Sequence, residues 1–546
     1  MKTPIFGQTY VARSVNAADN RMVNLFPEVL IDGKEAGYLN RAPGLEFLQS
    51  VGTGPIRGLW AHQTNGSDFY VVSGQEVYKL TGLYATPTLL GTISGTGPVS
   101  IADNGIQIFF ACNPRSYIYN EVTNVFQEIN DPDFPGAVTV SYLDTYFVFN
   151  EPDSQRIWVT SLLDGTQVDP LDFASAEGSP DGVVGLISDH RELWVFGSDS
   201  VEVWYNAGLP DFPLTRIQGA FNEIGCVAPF SIAKLDNGLF WLGTDARGQG
   251  IVYRANGYTG QRISTHAIEW QIQQYGNISD AIAYTYQQDG HAFYVLTFPT
   301  GNATWVFDVA TQAWHQRAGW ENEEFVRHRS NCQCNFVGNI IVGDYENGNI
   351  YKFNLDVYAD YNTEQKWLRS WRALPTGQNN LKRTAQHSLQ LDAETGIGLN
   401  LYPAYDSEDL ATEDGKIIVA EFVQGFLVTQ SDDQLTTEAN DNFEALVTIN
   451  WPEPYPNGYA LATNGYPAAP GYDPQVMLRW SDDGGHTWSN EHWKSMGKLG
   501  NYGTRTIWRR LGMTTKLRDR VYEVSGTDPV KIAILGAELE LSPTNG

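Results

Sequence analysis

The sequence predicts an all-β chain built of repeated antiparallel sheets, and three observations predict it. Aromatic residues make up 13% of the 546 residues beside 53 Gly and 26 Pro, a composition suited to short strands and tight turns. Charged residues reach only 18% against 42% hydrophobic, which excludes a disordered acidic chain and a coiled coil. Short apolar runs also recur about every 45 residues between residues 55 and 358. At roughly 150 residues per domain, the length allows two to four domains.

Residues 1–54 come first. They are irregular, with Asn20-Arg-Met-Val-Asn-Leu-Phe-Pro-Glu28 and Arg41-Ala-Pro-Gly44, and read as an extended arm with little core of its own, expected to pack with the C-terminal domain.

Residues 55–360 hold the repeat. Its apolar runs begin at Phe69, Ile106, Tyr146, Leu193, Leu239, Phe293 and Ile340. Each is followed, after a polar turn, by a run carrying Tyr78, Tyr117, Trp158, Trp204, Tyr253, Trp305 or Tyr351. Hairpins at this period are the mark of a β-propeller blade. One such blade cannot bury both faces of its own sheet; stacking around an axis buries the rings between neighbours. Seven units are countable, and the irregular inner and outer strands leave six to eight open. A pair of β-sandwiches or a β-solenoid is the competing reading. The spacing is too long for solenoid rungs, and a 300-residue sandwich would be unusual.

Residues 361–546 read as a β-rich platform or sandwich domain. Tyr361 to Asn380, polar and containing Pro375 and Gly377, reads as a linker into it. Thr384–Pro403, Gly415–Thr429 and Ala445–Trp451 read as strands. Residues 451–473 form a long Pro/Gly/Tyr loop, read as an ordered contact surface.

No motif supports catalysis. Ser481-Asp482-Asp483-Gly484-Gly485-His486-Thr487-Trp488 resembles the Asp box of sialidases, a structural hairpin in which Asp and Ser satisfy turn N–H groups, Gly permits positive φ and Trp packs beneath. His328, Cys332 and Cys334 have even spacing, which on one strand places all three on one face; with no fourth ligand at a recognisable spacing they read as half-buried strand residues. Nucleophile-elbow, zinc-protease, phosphate-loop and dinucleotide signatures are missing from the sequence. No catalytic, cofactor-binding or metal residue is therefore assigned, no cofactor is expected, and the chain reads as a non-enzyme. No run approaches the roughly 20 apolar residues of a membrane span. The first residues lack a signal-peptide core, and Cys112, Cys226, Cys332 and Cys334 are too few for a disulfide scaffold, which points to a reducing cytosol as the site of synthesis.

The charge is informative. Lys and Arg number 35 against 63 Asp and Glu, a net −28, which excludes DNA binding through the overall field. Residues 1–360 hold 19 basic and 39 acidic residues. Residues 479–520 reverse the balance, with Arg479, Lys494, Lys498, Arg505, Arg509, Arg510, Lys516, Arg518 and Arg520, and read as a solvated face or as a docking strip for an acidic neighbour.

Two stretches carry a family resemblance. Asn20–Glu28 with Ala42-Pro-Gly-Leu45 and Gly52-Thr-Gly-Pro-Ile-Arg-Gly-Leu59, and, near the other end, Leu478–Trp488, Gly500–Gly512 and Asp519–Pro529, resemble the packaged-DNA stabilisation proteins of short-tailed bacteriophages, also called tail hub or nozzle proteins. The resemblance implies a virion tail protein, made in the host cytoplasm, forming a homohexameric ring below the portal-adaptor ring. It also implies contact with the tail needle or distal tail and fibre proteins, and DNA that passes through the channel without sequence-specific binding. The alternative function is a glycan-binding or sialidase-like propeller acting on host surface sugars, which predicts convergent Arg, Tyr and carboxylate groups at the propeller axis.

Overall fold

The computed structural model describes the chain except residues 16, 34, 63–67, 211, 246–247, 375–382, 400–420, 424–425, 429–470, 515–519 and 545–546. Seven antiparallel sheets succeed one another between residues 44 and 354, and each is a blade of the propeller. The recurrent apolar runs form the second strand of each blade, as in Phe69–Ser73 and Glu192–Gly197, and the recurrent Tyr or Trp sits on the third, as in Glu76–Leu80 and Val201–Asn206. Tight turns join first to second strands, with Asp144, Asp236 and Asp289 at φ 43, 47 and 47°. Asp and Asn tolerate this left-handed region through local hydrogen bonds.

Each pair of neighbouring blades shares its own apolar cluster, as the stacking argument requires. Trp204 packs with Val148, Ile157, Leu193 and Leu214 between blades 3 and 4. Its indole nitrogen donates to Glu202 at 3.1 Å, so the polar handle is used as the ring is buried. Trp305 likewise joins Phe240, Tyr294 and Trp314 between blades 5 and 6.

The wheel is closed by the N-terminal segment. Gly44–Ser50 is the outer strand of blade 7, antiparallel to Asn349–Asn354, with Phe47 opposite Tyr351 and Leu45 opposite Phe353. Closure removes the free edges that an open stack would leave. Gly44 permits it, because a Cβ there would lie 2.4 Å from the Ala359 carbonyl oxygen.

The rest of the arm builds the second domain. Met22–Val23 lies between blade 6 and the platform, parallel to Ala313–Glu321 and antiparallel to Trp367–Arg372, so one continuous sheet runs through the seam. Beyond it follow Val521–Gly526, Gln475–Ser481 and His492–Ser495. A second sheet orders Leu25–Val29, Gly37–Arg41, Ala533–Pro543, Thr384–Ala393 and Ile507–Arg509. Trp367, Trp371, Leu389, Trp508, Tyr522 and Leu539 form the single core between them, a β-sandwich.

The expected linker at Tyr361–Asn380 is not one where it is described. Trp367–Arg372 is a central strand with Trp367 and Trp371 at 1% and 0% exposure. The sequence misleads because both faces are buried and one inward residue is Arg369, whose guanidinium donates to the carbonyls of Ile5 at 2.7 Å and Arg21 at 3.3 Å. Satisfied donors offset the cost of burying such a cation. Of the strand expected at Gly415–Thr429, Glu421–Val423 and Phe426–Val428 are described, as an antiparallel pair. Ala445–Trp451, residues 400–403 and the loop up to residue 470 lie outside the described residues.

Candidate functional site: axial channel, seam and platform edge

Polar and charged groups gather at three places: the propeller axis, the seam between domains, and the cationic edge of the platform. The inner strand of each blade lines an axial cavity of about 750 Å³. Much of its wall is small or uncharged, as at Gly58, Ser100, Ser141, Ser188, Ile232 and Ala283, and its charged lining residues are Arg57, Asp103 and Lys234. Their polar groups stitch adjacent blades together. Ser141 Oγ donates to Ser188 Oγ at 2.7 Å, Thr285 Oγ1 to the Lys234 carbonyl at 2.7 Å, and Asn331 Nδ2 to the Ile56 carbonyl at 2.8 Å. Arg57 reaches the cavity but is committed elsewhere, donating to the carbonyls of Gly97 at 2.6 Å and Gly74 at 2.7 Å. Among the described residues, the one Arg and the one carboxylate of this lining serve their own neighbourhood, Arg57 as above and Asp103 accepting from the Trp60 indole at 2.7 Å, so they do not form the cluster of several Arg, Tyr and carboxylates that a sialidase-like site needs. One mouth widens into a polar cavity of about 870 Å³ bearing Asp189, Asp236 and Asp289 from three successive turns. Two of these carboxylates are engaged: Asp236 pairs with Arg254 at 2.7 Å and Asp189 with His190 at 2.8 Å.

The His328, Cys332 and Cys334 trio does not share a face. A β-bulge between Ser330 and Cys332 shifts the register against the neighbouring strand. Cys332 and Cys334 consequently face blade 1, whereas His328 packs on Phe353 toward blade 6 and its Nδ1 lies 2.6 Å from Ser330 Oγ. One extra residue flips side-chain alternation, which even spacing alone does not reveal. Burial pushes the Cys334 thiol up to about 12 and the His328 imidazole down to about 3, so both are neutral and inert. Among the described residues, no group of three His, Cys, Asp or Glu is placed to hold a metal ion.

The Asp-box segment is the hairpin joining Gln475–Ser481 to His492–Ser495. Asp483 accepts from the backbone N–H groups of His486 and Thr487, both at 2.9 Å, and from Thr487 Oγ1 at 2.6 Å. The Ser481 hydroxyl, donating to it at 2.6 Å, and then these donors hold its carboxyl well below the usual carboxylate range. Trp488 donates to the Gly485 carbonyl at 3.1 Å. Ser481, Asp483, Thr487 and Trp488 thus serve the turn, while Asp482 reaches out of it to Arg520.

The cationic strip divides in two. Arg479 pairs with Glu523 at 2.5 Å and the buried Arg520 with Asp482 at 2.7 Å, so these two are internal struts. Lys494, Lys498, Arg505, Arg509 and Arg510 are exposed, and Lys516 and Arg518 lie outside the described residues.

The seam carries residues that sequence reasoning missed. Arg41, 2% exposed, donates to the carbonyls of Tyr358, Gln365, Asp528 and Val530, tying the arm, the propeller exit and the platform to one guanidinium. Asn24 Nδ2 donates to the carbonyls of Ala318 and Lys366, both at 2.8 Å, across the same seam. Arg317, also buried, lies over the rings of Tyr286, Phe293 and Phe353 at 5.5–5.7 Å, where aromatic faces stabilise its charge. Nearby, burial pushes the Asp360 carboxyl up to about 6. The signal available in the sequence was an arginine inside an apolar alternation, as in Trp367-Leu-Arg-Ser-Trp371. The seam acts as a rigid joint, and its chemistry is structural.

No curated protein sequence matches the chain. Among solved structures, the N-terminal domain of Nup159 matches with a TM-score of 0.36 and 10% identity, covering 62% of this chain and 100% of that one. A chain of the mitotic checkpoint complex matches at 0.35 and 12%, covering 56% and 94%, and the computationally designed Ika8 protein at 0.33 and 13%, covering 61% and 99%. Similarities this low carry no functional argument. Family models are decisive: "Bacteriophage P22 Gp10, beta-propeller" matches residues 1–358, and "Bacteriophage P22 Gp10, beta-sandwich" matches residues 462–542. With a closed propeller, a sandwich fused to it through the arm and both halves matched, the chain belongs to the bacteriophage P22 Gp10 family, the tail hub or nozzle proteins of short-tailed phages.

Proposed function

We infer that the chain is the structural subunit of a tail nozzle, assembling as a homohexameric ring below the portal-adaptor ring and helping to retain packaged DNA until ejection. The observation that carries this reading is the rigid seam. Arg41 and the shared sheet through Met22–Val23 weld a propeller to a sandwich, as a load-carrying part needs. The charge supports passage rather than capture of DNA. A ring of chains each carrying −28 repels phosphate, so a genome slides past instead of sticking. The remaining partners proposed are the tail needle or distal tail and fibre proteins, with synthesis in the host cytoplasm.

The test is to produce particles lacking this chain. Heads that fill with DNA and then lose it, together with the chain's presence in the tail of complete particles, are the expected results. Particles that retain their genomes without it, or a purified chain that hydrolyses sialosides, overturn the reading.

A further inference from the structure

Two patches on the described surface depart from the rest, and they complement one another. The first is on the platform. From His492 to Met513 the chain has no Asp or Glu, while Lys494, Lys498, Arg505, Arg509 and Arg510 all point to solvent. Trp493, Tyr502 and Met513 are exposed among them at 54%, 74% and 53%. The patch spans edge strands of both platform sheets, His492–Ser495 and Ile507–Arg509, joined by the Trp508 indole donating to the His492 carbonyl at 2.7 Å. Exposed Trp, Tyr and Arg together are the composition of protein contact sites.

The second patch is on blade 3 and the connection leading into it. Residues 128–181 hold 11 acidic side chains and one basic, Arg156; Asp181 is buried and Glu128, Asp144 and Glu151 pair with Arg115, Arg191 and Arg156, which leaves Asp133, Asp153, Asp169 and Glu177 as the exposed carboxylates of the patch. The connection between the third and fourth strands of this blade exposes Leu162, Leu163 and Leu171 at 63%, 51% and 71%. Leu163 sits at φ 57°, a region leucine rarely adopts, and its N–H is held by the Thr145 carbonyl at 3.1 Å. Strain that presents an apolar side chain to water points to a contact.

The patches cannot meet within one copy. The platform joins the wheel at blades 6 and 7, through Met22–Val23 and Gly44–Ser50, and blade 3 lies about half a turn away in a seven-bladed ring. We propose that the occupant of the basic platform edge is a second copy of this chain, docking its acidic, leucine-bearing blade 3. Such a contact is heterologous, uses a different surface on each side, and generates a closed ring when the rotation between copies closes. The proposal rests on the nozzle reading and specifies which surfaces would build its ring.

The test uses the full-length chain. Two double variants are made: Arg509→Glu with Arg510→Glu, and Asp133→Lys with Glu177→Lys, all at exposed positions. Wild type is expected to assemble in a salt-sensitive way by sedimentation. Each variant, with an unchanged melting temperature, should raise the dissociation constant by about tenfold or more, and mixing the two should restore assembly. Wild type that stays monomeric, variants that assemble as wild type, or a mixture that fails to recover overturns the proposal. So does a platform variant that loses only salt-dependent binding to a short DNA duplex, which would make the patch a nucleic-acid surface. If the platform variant still enters particles in wild-type amounts, the docking proposal fails and the nozzle reading stands. If wild type itself is missing from particles, the nozzle reading fails.

Discussion

Propeller and platform close their sheets by opposite means. Within every blade but the closing one, pairing is local, as when Val71 faces Tyr78, and each of the seven inter-blade interfaces has its own apolar cluster. In the platform, pairing joins the two ends of the chain: Leu39 faces Ile534, Met22 faces Arg369, and one core serves both sheets. Local pairing divides stability into modules, whereas long-range pairing makes it collective. The arm belongs to both regimes, since Gly44–Ser50 closes the wheel and Leu25–Arg41 completes the sandwich.

The largest expected effect follows from that double role. Deleting residues 1–50 removes a strand from blade 7, the seam strand and a hairpin of the sandwich together. Calorimetry of the truncated chain is expected to show no cooperative transition; two sharp transitions would break the comparison. Next come two tryptophans. Trp371→Ala in the collective core should destabilise by about 3–5 kcal/mol, because the ring is wholly buried and its indole donates to Thr3 Oγ1 at 2.9 Å. Trp204→Ala, 7% exposed, should lie at the lower end of about 3–5 kcal/mol. Hydrogen exchange separates them: the first should raise exchange through both platform sheets, the second only in blades 3 and 4.

A smaller effect is set by pH. His328 is buried neutral, its value lowered to about 3 by burial and then by Arg317 and Arg329. The unfolded chain binds that proton near pH 6.5, so stability from this group is present above pH 6.5 and falls by about 1.4 kcal/mol per unit as pH drops toward the folded value. His328→Phe should flatten the melting-temperature profile between about pH 6.5 and 4.5, since Ser330 keeps Tyr284 Oη as a partner at 2.6 Å. His291 works in the other direction. Its bond to Asp308 raises it, and its contribution is lost as pH rises through the folded value. The smallest effect belongs to the exposed edge: Arg509→Glu with Arg510→Glu should change the stability of the isolated chain by less than about 0.5 kcal/mol, measured by denaturant titration.

Second and third strands of the blades were legible because their apolar runs and rings are buried between neighbours, which fixes their composition. The inner strands were not, since Gly58, Ser100 and Ser141 are chosen by the narrow shaft they face and show no alternation. The Asp box was legible because its hydrogen bonds are local, within Ser481–Trp488. The cationic strip was legible as charge only. Nothing along the chain distinguishes Arg520, 2% exposed and paired, from Arg509, which faces solvent.

The all-β class, the repeated hairpins and the strongly acidic net charge were readable from residue order alone, because those properties follow from composition, short-range periodicity and counted charges. Only the tertiary structure decided that the arm locks the wheel, that Trp367–Arg372 is core rather than linker, that a bulge turns His328 away from the two cysteines, and which arginines remain outside. Each of those outcomes depends on partners hundreds of residues distant or on a single shift of register, and neither leaves a mark in local residue order.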